Sequence, residues 1–219
     1  MSRFWSAAAL RTEPYVPGDQ PTGQIIKLNT NENPYPPSPR VMEALQEAIT
    51  ADLRLYPNPD ADKVRAAAAE LYQLSTEQVF VGNGSDEVLA FSFMAFFHQD
   101  RPIRFPDITY SFYPVYAQLY QIPVEEVPLR EDFSINPEDY FNSQGGVIFP
   151  NPNAPTGLIM PLKAIEEILN HNQDRVVIVD EAYIDFGGES AAPLVNKYPN
   201  LLVIQTLSKS RSLGGLRIG

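Results

Sequence analysis

Lys209 is the residue whose type and position most directly suggest chemistry. It lies in the polar segment 208–211, shortly after the apolar run Leu201–Ile204. Such a run predicts a buried strand, and functional sites commonly lie in the loops at strand ends. The nearby cations Arg211 and Arg217, with partial burial, would favour the neutral amine, which is the form that condenses with a carbonyl group. A single lysine in a loop is still about ten times more often an ordinary surface residue.

Three other strand-like segments also end in polar clusters, at residues 82–87, 151–157 and 180–183. Such clusters meet at one edge of an open parallel sheet. The Gly-Asn-Gly-Ser-Asp stretch is either a tight turn with Ser85 as a helix cap or a cradle for an anion at a helix N-terminus. Asn-Pro-Asn-Ala-Pro-Thr-Gly is by default a rigid turn. Asp180 and Glu181 either line a solvated rim or are buried, in which case they need a cationic partner.

Taken together, these clusters contain what pyridoxal phosphate requires of a protein. The cofactor needs a lysine for its aldehyde, a cradle for its phosphate and a carboxylate that keeps its ring nitrogen protonated. An aromatic side chain that stacks on the ring completes the set. The combination therefore favours this cofactor over an unrelated role for each cluster.

The composition excludes several other classes of protein. The 219 residues carry 16 basic and 27 acidic side chains, a formal charge of −11, which argues against a nucleic-acid-binding surface. The absence of cysteine excludes disulfides and thiolate metal sites, and the two histidines are too few for a histidine-rich metal centre. No apolar run is long enough for a signal peptide or a membrane span, so we expect a cytoplasmic protein without a metal or a membrane contact.

The hydrophobic pattern predicts an α/β fold. Residues 1–37, rich in Pro, Asn and Gly, indicate an N-terminal arm, and residues 38–219 indicate one large domain. Fully apolar strands that alternate with helices predict a mostly parallel sheet with helices on both faces, a three-layer α/β/α arrangement. The expected strands are residues 79–81, 103–105, 124–129, 146–149, 176–179 and 201–204. Two expected helices begin at residue 38 and near residue 60. Three more span residues 88–97, 111–120 and 161–170, and the first of these three is expected to be buried nearly all round.

Five motifs then carry a resemblance to a known family. In order they are LNTNENP at 28–34, GNGSDE at 82–87, YSFY at 110–113, DEAY at 180–183 and TLSK at 206–209. The chain resembles the fold-type I pyridoxal-phosphate aminotransferases, and most closely the histidinol-phosphate aminotransferase subfamily, from residue 14 to residue 219. Five ordered motifs are a strong signal where one would be weak.

The resemblance implies a role for each matching residue. Lys209 would bind the cofactor aldehyde and then shuttle a proton, and Asp180 would pair with the ring nitrogen. Tyr183 and Asn153 would lie near the ring hydroxyl, and Tyr110 would stack on the ring. The residues implied at the cofactor phosphate are Ser85, Asp86, Ser208, Arg217 and, from the partner subunit of a homodimer, Tyr56. Those implied to cover the substrate are Tyr15 and Asn31.

The resemblance also implies a reaction, the transfer of an amino group between L-histidinol phosphate and 2-oxoglutarate in histidine biosynthesis. The alternatives are an aminotransferase for aromatic or other amino acids, a phosphothreonine-type decarboxylase and a truncated cofactor-binding fragment.

Two features depart from the family pattern. Ala154 stands where many relatives have asparagine, and the sequence ends at Gly219, where the family continues into a C-terminal small domain that supplies substrate-binding arginines.

Overall fold

The computed structural model describes residues 3–11, 18–19, 22–23 and 25–219. The α-helices of this described part are α1 (Ala7–Arg11), α2 (Pro39–Ala48), α3 (Asp62–Tyr72), α4 (Ser85–Phe96), α5 (Phe112–Tyr120) and α6 (Leu162–Asn170). The strands are β1 (Ile103–Pro106), β2 (Val124–Val127), β3 (Val147–Pro150), β4 (Val177–Asp180) and β5 (Leu201–Ile204). None of the helices in these ranges is long and apolar enough to cross a membrane.

The five strands form one sheet with the order β2-β1-β3-β4-β5, and every neighbouring pair is parallel. The carboxyl ends of β3 and β4 are in register, because Pro150 lies beside Asp180, and Asp180 in turn lies beside Ile204 of β5. The polar loops that follow these three strands therefore meet at one edge of the sheet, as the sequence predicted.

The central strands β3 and β4 are buried at every residue, so both faces of the sheet are covered there, which confirms the three-layer α/β/α prediction. On one face Val147, Phe149, Val177 and Val179 pack with α6 and with Tyr140. On the other face Ile148 and Ile178, which alternate with them along the strands, pack with α4 and α5. Because successive strand residues point to opposite faces, uniformly apolar strands build both cores at once.

Two expectations about the elements were wrong, and the arm contains one element that the sequence did not indicate. Residues 79–81 form no strand in the sheet; only the next residues, Gly82 and Asn83, pair in antiparallel fashion with residues 218–219 at the other end of the chain. Helix α4 is not buried all round, because Phe91, Met94 and Phe96 are exposed. The arm contains the short helix α1, whose five residues are too few to show a period.

Candidate active site

A cleft of about 120 Å³ opens where the loops after β3, β4 and β5 face the N-terminus of α4. Its wall brings together most of the residues that the sequence singled out. The residues that line it are Ser85, Asp86, Tyr110, Pro150, Ala154, Asp180, Ala182, Tyr183, Thr206, Ser208, Lys209 and Arg217.

Asp180 is the last residue of β4 and is buried. The Tyr113 hydroxyl donates to its Oδ2 at 2.8 Å, and the Ala182 N–H donates to its Oδ1 at 3.1 Å. Burial raises the pKa of Asp180 to about 6, although both hydrogen bonds act in the opposite direction. Both hydrogen-bond donors are neutral, so this buried carboxylate can accept a cationic partner from the cleft.

Glu181, the neighbouring acid, is also buried but faces a different loop. Its carboxylate accepts hydrogen bonds from the Ser190 hydroxyl, the Ala191 N–H and the Gln205 side chain, each at 2.6–2.8 Å. Burial raises the pKa of Glu181, and these bonds oppose that rise. The structure thus separates the two acids: Asp180 lines the cleft, and Glu181 holds the loop behind it.

Lys209 lies half-buried in the loop after β5 and contacts the N-terminal arm. Its Nζ donates to the Thr30 carbonyl oxygen at 2.9 Å and lies 5.8 Å from the centre of the Tyr183 ring. Asn33 Nδ2 donates to the carbonyl oxygens of Lys209 and Ser210, both at 3.2 Å, and so ties the arm to the lysine loop.

The two arginines near Lys209 are each paired with a carboxylate. Arg211 Nε lies 3.0 Å from Asp185 Oδ2, and Arg217 Nη2 lies 3.3 Å from Asp86 Oδ2. The arginine side chain is the main reason that the pKa of Asp185 is lowered. These pairs cancel much of the positive charge that the sequence led us to expect around the lysine.

The N-terminus of α4 lies at one end of the cleft. The first N–H groups of a helix have no partner within the helix, and the helix dipole favours a negative charge there. Gly84 precedes the helix with φ 80° and ψ 165°, a conformation almost confined to glycine. A Cβ atom at Gly84 would lie 2.5 Å from Arg217 Nη2, so the glycine lets that guanidinium approach the helix end. Ser208 and Thr206 add hydroxyl groups, which are 3.0 Å apart.

Two tyrosines stand on the walls of the cleft. The Tyr110 hydroxyl donates to Asp86 Oδ1 at 2.8 Å, and its ring stacks on Phe112 with centroids 5.7 Å apart. Burial is the main cause of the raised pKa of Tyr110, and Asp86 adds to it. Asn31 Nδ2 of the arm donates to the Tyr183 hydroxyl at 3.0 Å. Asn31 and Tyr183 also line an adjoining cavity of about 300 Å³.

Asn153 lines the adjoining cavity but not the cleft itself, Tyr56 lines neither, and Tyr15 lies outside the described residues. The Asn153 side chain is occupied by its own surroundings: Nδ2 donates to the Ile108 carbonyl oxygen, and Oδ1 accepts from Thr109. Ala154 lines the cleft in its place. Tyr56 is 99 % exposed and contributes nothing to the cleft within one chain.

Sequence reasoning gave no role to three residues that the structure places at the site. Tyr113 and Asn33 lie within motifs quoted above, but motif membership does not show which atom they contact. Thr206, two positions before Ser208, lines the cleft as well. Asn33 could have been noticed because the side-chain amide of asparagine donates hydrogen bonds. An arm that packs against a loop needs such donors for the exposed carbonyl groups of that loop.

The profile of the family described as "Aminotransferase class I and II" matches residues 23–219. The chain belongs to this family. The family uses pyridoxal 5′-phosphate, so the cofactor expected from the sequence is the cofactor of the family to which the chain belongs.

Curated relatives and solved structures are also similar to this chain. Histidinol-phosphate aminotransferase 1 of Methylococcus capsulatus is 62% identical over the whole of this chain, and the chain spans 62% of that relative's length. The crystal structure of histidinol-phosphate aminotransferase from Clostridium acetobutylicum has a TM-score of 0.76 at 26% identity, covering 87% of this chain and 58% of that one. The enzyme from Sinorhizobium meliloti, in complex with pyridoxal-5′-phosphate, has a TM-score of 0.77 at 23% identity, covering 86% and 53%.

The chemistry of the cleft fits that cofactor. A helix N-terminus, hydroxyl groups and a guanidinium lie at one end, where a phosphate would bind. A buried carboxylate without a cationic hydrogen-bond donor lies in the same wall, where a protonated ring nitrogen would supply the missing charge. The amine of Lys209 shares the cleft with both.

Proposed function

We propose that this chain forms the cofactor-binding part of a pyridoxal-phosphate-dependent aminotransferase, and that its substrates are L-histidinol phosphate and 2-oxoglutarate. The observation that carries the proposal is the shared cleft: an amine, a buried carboxylate and an anion-binding helix end line one wall. The names of relatives about 60% identical to this chain support the choice of substrate. Histidine biosynthesis in the cytoplasm follows from that choice.

Each residue then has a definite task. When bound, the cofactor supplies an electron sink that stabilises negative charge next to the substrate nitrogen. Lys209 Nζ would hold the cofactor through its aldehyde group and, once the substrate amine has displaced it, would carry the proton from the substrate Cα to the cofactor carbon that bore the aldehyde oxygen. Asp180 accepts a hydrogen bond from the ring nitrogen and keeps that nitrogen protonated.

The remaining residues hold the cofactor in place. The N–H groups of Ser85 and Asp86, together with Ser208 and Arg217, bind the phosphate, and the Tyr110 ring packs on the face of the pyridine. Tyr183 donates to the ring hydroxyl. Because the amide of Asn153 is engaged elsewhere, we assign it a supporting role in the loop. The neutral hydrogen bond that is thereby lost would weaken binding by about 1 kcal/mol.

The proposal extends to the arm and to a second subunit. Residues 1–37 form the arm and residues 38–219 the large domain; Asn31, with Tyr15, would cover the substrate from the arm side. Tyr56, exposed in one chain, would reach the phosphate in the site of a partner copy, so the active form is a homodimer.

Substrate choice can be tested directly. The complete gene product that carries this chain should transfer the amino group of L-histidinol phosphate to 2-oxoglutarate at least ten times faster than that of phenylalanine or tyrosine. Lys209→Ala serves as the control and should be inactive with all three. Faster turnover of an aromatic amino acid would contradict the proposed substrate but leave the aminotransferase assignment intact.

A further inference from the structure

Tyr113 is a buried tyrosine that the assigned chemistry does not use. It lies in the first turn of α5, with a relative exposure of 0%. The rings of Phe93, Phe105 and Tyr110 surround it, with centroids 5.7–6.2 Å from its own. Its hydroxyl passes out of this apolar cluster and donates to Asp180 Oδ2 at 2.8 Å.

The hydrogen bond has a consequence for Asp180 because both groups are buried. A carboxylate removed from water depends on the donors that remain, and bonds to its charged form keep that form. The two oxygens of Asp180 each have one such donor, the Tyr113 hydroxyl and the Ala182 N–H. Two donors on different oxygens also fix the rotation of the carboxylate.

We propose that Tyr113 is a positioning residue for the proposed reaction: its hydroxyl orients the Asp180 carboxylate and keeps it ionised, so that Asp180 can hold the proton on the cofactor's ring nitrogen. The inference rests on the proposed role of Asp180. Tyr113 itself is fully buried and is not among the residues that line the cleft, so it acts only through Asp180.

The charges around Asp180 make this donor necessary. Two carboxylates, Asp86 and Glu181, oppose its ionisation, and burial opposes it more strongly. The cations that line the same cleft, Lys209 and Arg217, donate to other groups: Lys209 to the Thr30 carbonyl oxygen, and Arg217 to Asp86. Without the Tyr113 hydroxyl, Asp180 would more readily keep a proton, and the ring nitrogen would then lose the charge that makes it an electron sink.

Tyr113→Phe tests the inference, and Tyr140→Phe is the matched control. Tyr140 is equally buried but lies in the core on the other face of the sheet, and within the described residues its hydroxyl has no hydrogen-bond partner. Both changes remove one buried oxygen and keep the ring, so both variants should fold. Any effect of Tyr113→Phe beyond that of the control reports on the bond to Asp180.

The first measurement is the pH dependence of urea unfolding of the cofactor-free proteins. The pH at which Asp180 titrates should rise by about one unit in Tyr113→Phe and stay unchanged in Tyr140→Phe. When Asp180 is replaced by asparagine, adding Tyr113→Phe should produce no such shift. A pH profile that does not move would overturn the inference, even if the variant is less stable.

The second measurement is steady-state transamination by the complete enzyme. We expect kcat of Tyr113→Phe to fall about tenfold while KM stays within about twofold, because the hydroxyl acts through Asp180 and not on the substrate. A kcat equal to that of Tyr140→Phe would also overturn the inference. If the parent enzyme itself bound no cofactor, the proposed function would fail, and the unfolding profiles would still report separately on the Tyr113–Asp180 bond.

Discussion

At the scale of the residue, Asp180 stands out because it is a buried acid whose two hydrogen-bond donors are neutral. Taking a carboxylate out of water is costly unless a cation compensates for it. The buried charge should therefore lower the stability of the cofactor-free protein, and binding a cationic ring should restore that stability. Residues that lower the stability of a protein until a ligand binds are typical of functional sites.

Replacement of this acid by asparagine should make the empty protein more stable at neutral pH. Burial raises the pKa of Asp180 from 3.8 to about 6, so between these values the folded protein holds a proton that the unfolded chain has released. The corresponding stabilisation is complete below about pH 4 and is lost as pH rises through 6, a change of about 3 kcal/mol in the free energy of unfolding.

Asp180→Asn has no such titration; its Oδ1 can still accept from the Ala182 N–H, and its Nδ2 can donate to the Tyr113 hydroxyl oxygen, which reverses the direction of that bond. Urea unfolding of the cofactor-free proteins from pH 4 to pH 8 should show a flatter profile for the variant and, above pH 7, a higher free energy of unfolding than in the parent. Parallel profiles for the two proteins would contradict the assignment of this pKa to Asp180.

At the scale of the element, the N-terminus of α4 and the loop after β5 both line the same end of the cleft. Arg217 reaches across from the chain end and lies beside Asp86 in the first turn of the helix. The close approach depends on Gly84, since any side chain there would meet the guanidinium. The proposed phosphate contacts therefore depend on a helix end as well as on single side chains.

Gly84→Ala should therefore weaken cofactor binding. The new Cβ would displace Arg217 from the helix end, and the backbone conformation would cost about 1–3 kcal/mol in stability. Gly23→Ala is a suitable control, because Gly23 also has a positive φ, but no atom of the described residues lies within 4 Å of the added Cβ. Equilibrium dialysis with pyridoxal phosphate should give a dissociation constant at least ten times higher for Gly84→Ala than for Gly23→Ala. Equal values would show that Arg217 does not hold the phosphate.

At the scale of the whole molecule, the five-stranded sheet places three strand ends and one helix end around a single cleft. The N-terminal arm closes over it through Asn31, Asn33 and the Thr30 carbonyl oxygen. Tyr56 and the apolar side chains Leu53 and Leu55 next to it are exposed. Exposed apolar groups close together commonly mark an interface, in agreement with the proposed homodimer.

A shared active site can be tested by mixing two inactive variants. Lys209→Ala lacks the amine, and Tyr56→Ala would lack the phosphate contact made to its partner. A mixed dimer then contains one site with both native residues, so refolding the two variants together should restore cofactor binding and turnover at that site. Recovery no greater than the sum of the separate variants would argue against a contribution from Tyr56 across the interface.

The sequence alone predicted the sheet and most of the cleft, because both are indicated by patterns within short stretches of the chain. Fully apolar runs such as Val147–Pro150 are recognisable because both faces of the strand are buried. Polar clusters that follow such runs must meet at one sheet edge, which brings Asp180 and Lys209 into one cleft.

The remaining features depend on contacts that are distant in sequence. Tyr113 and Asp180 are 67 residues apart, and no local pattern indicates that their side chains meet. Residues 79–81 have the composition of a strand but lack a partner strand, because only residues 218–219 pair nearby. The sequence of α4 is apolar nearly all round, which suggested a helix buried on every side. Composition alone cannot show which of its faces is exposed.

The central claim is that Lys209 is the residue that binds the cofactor. Reduction of the cofactor-loaded protein with borohydride, followed by proteolysis and mass spectrometry, should find the pyridoxyl group attached to Lys209 alone, and Lys209→Ala should lose both the label and the visible absorption band. A label on Lys197, Lys163 or another lysine, or a band that survives in Lys209→Ala, would contradict the account.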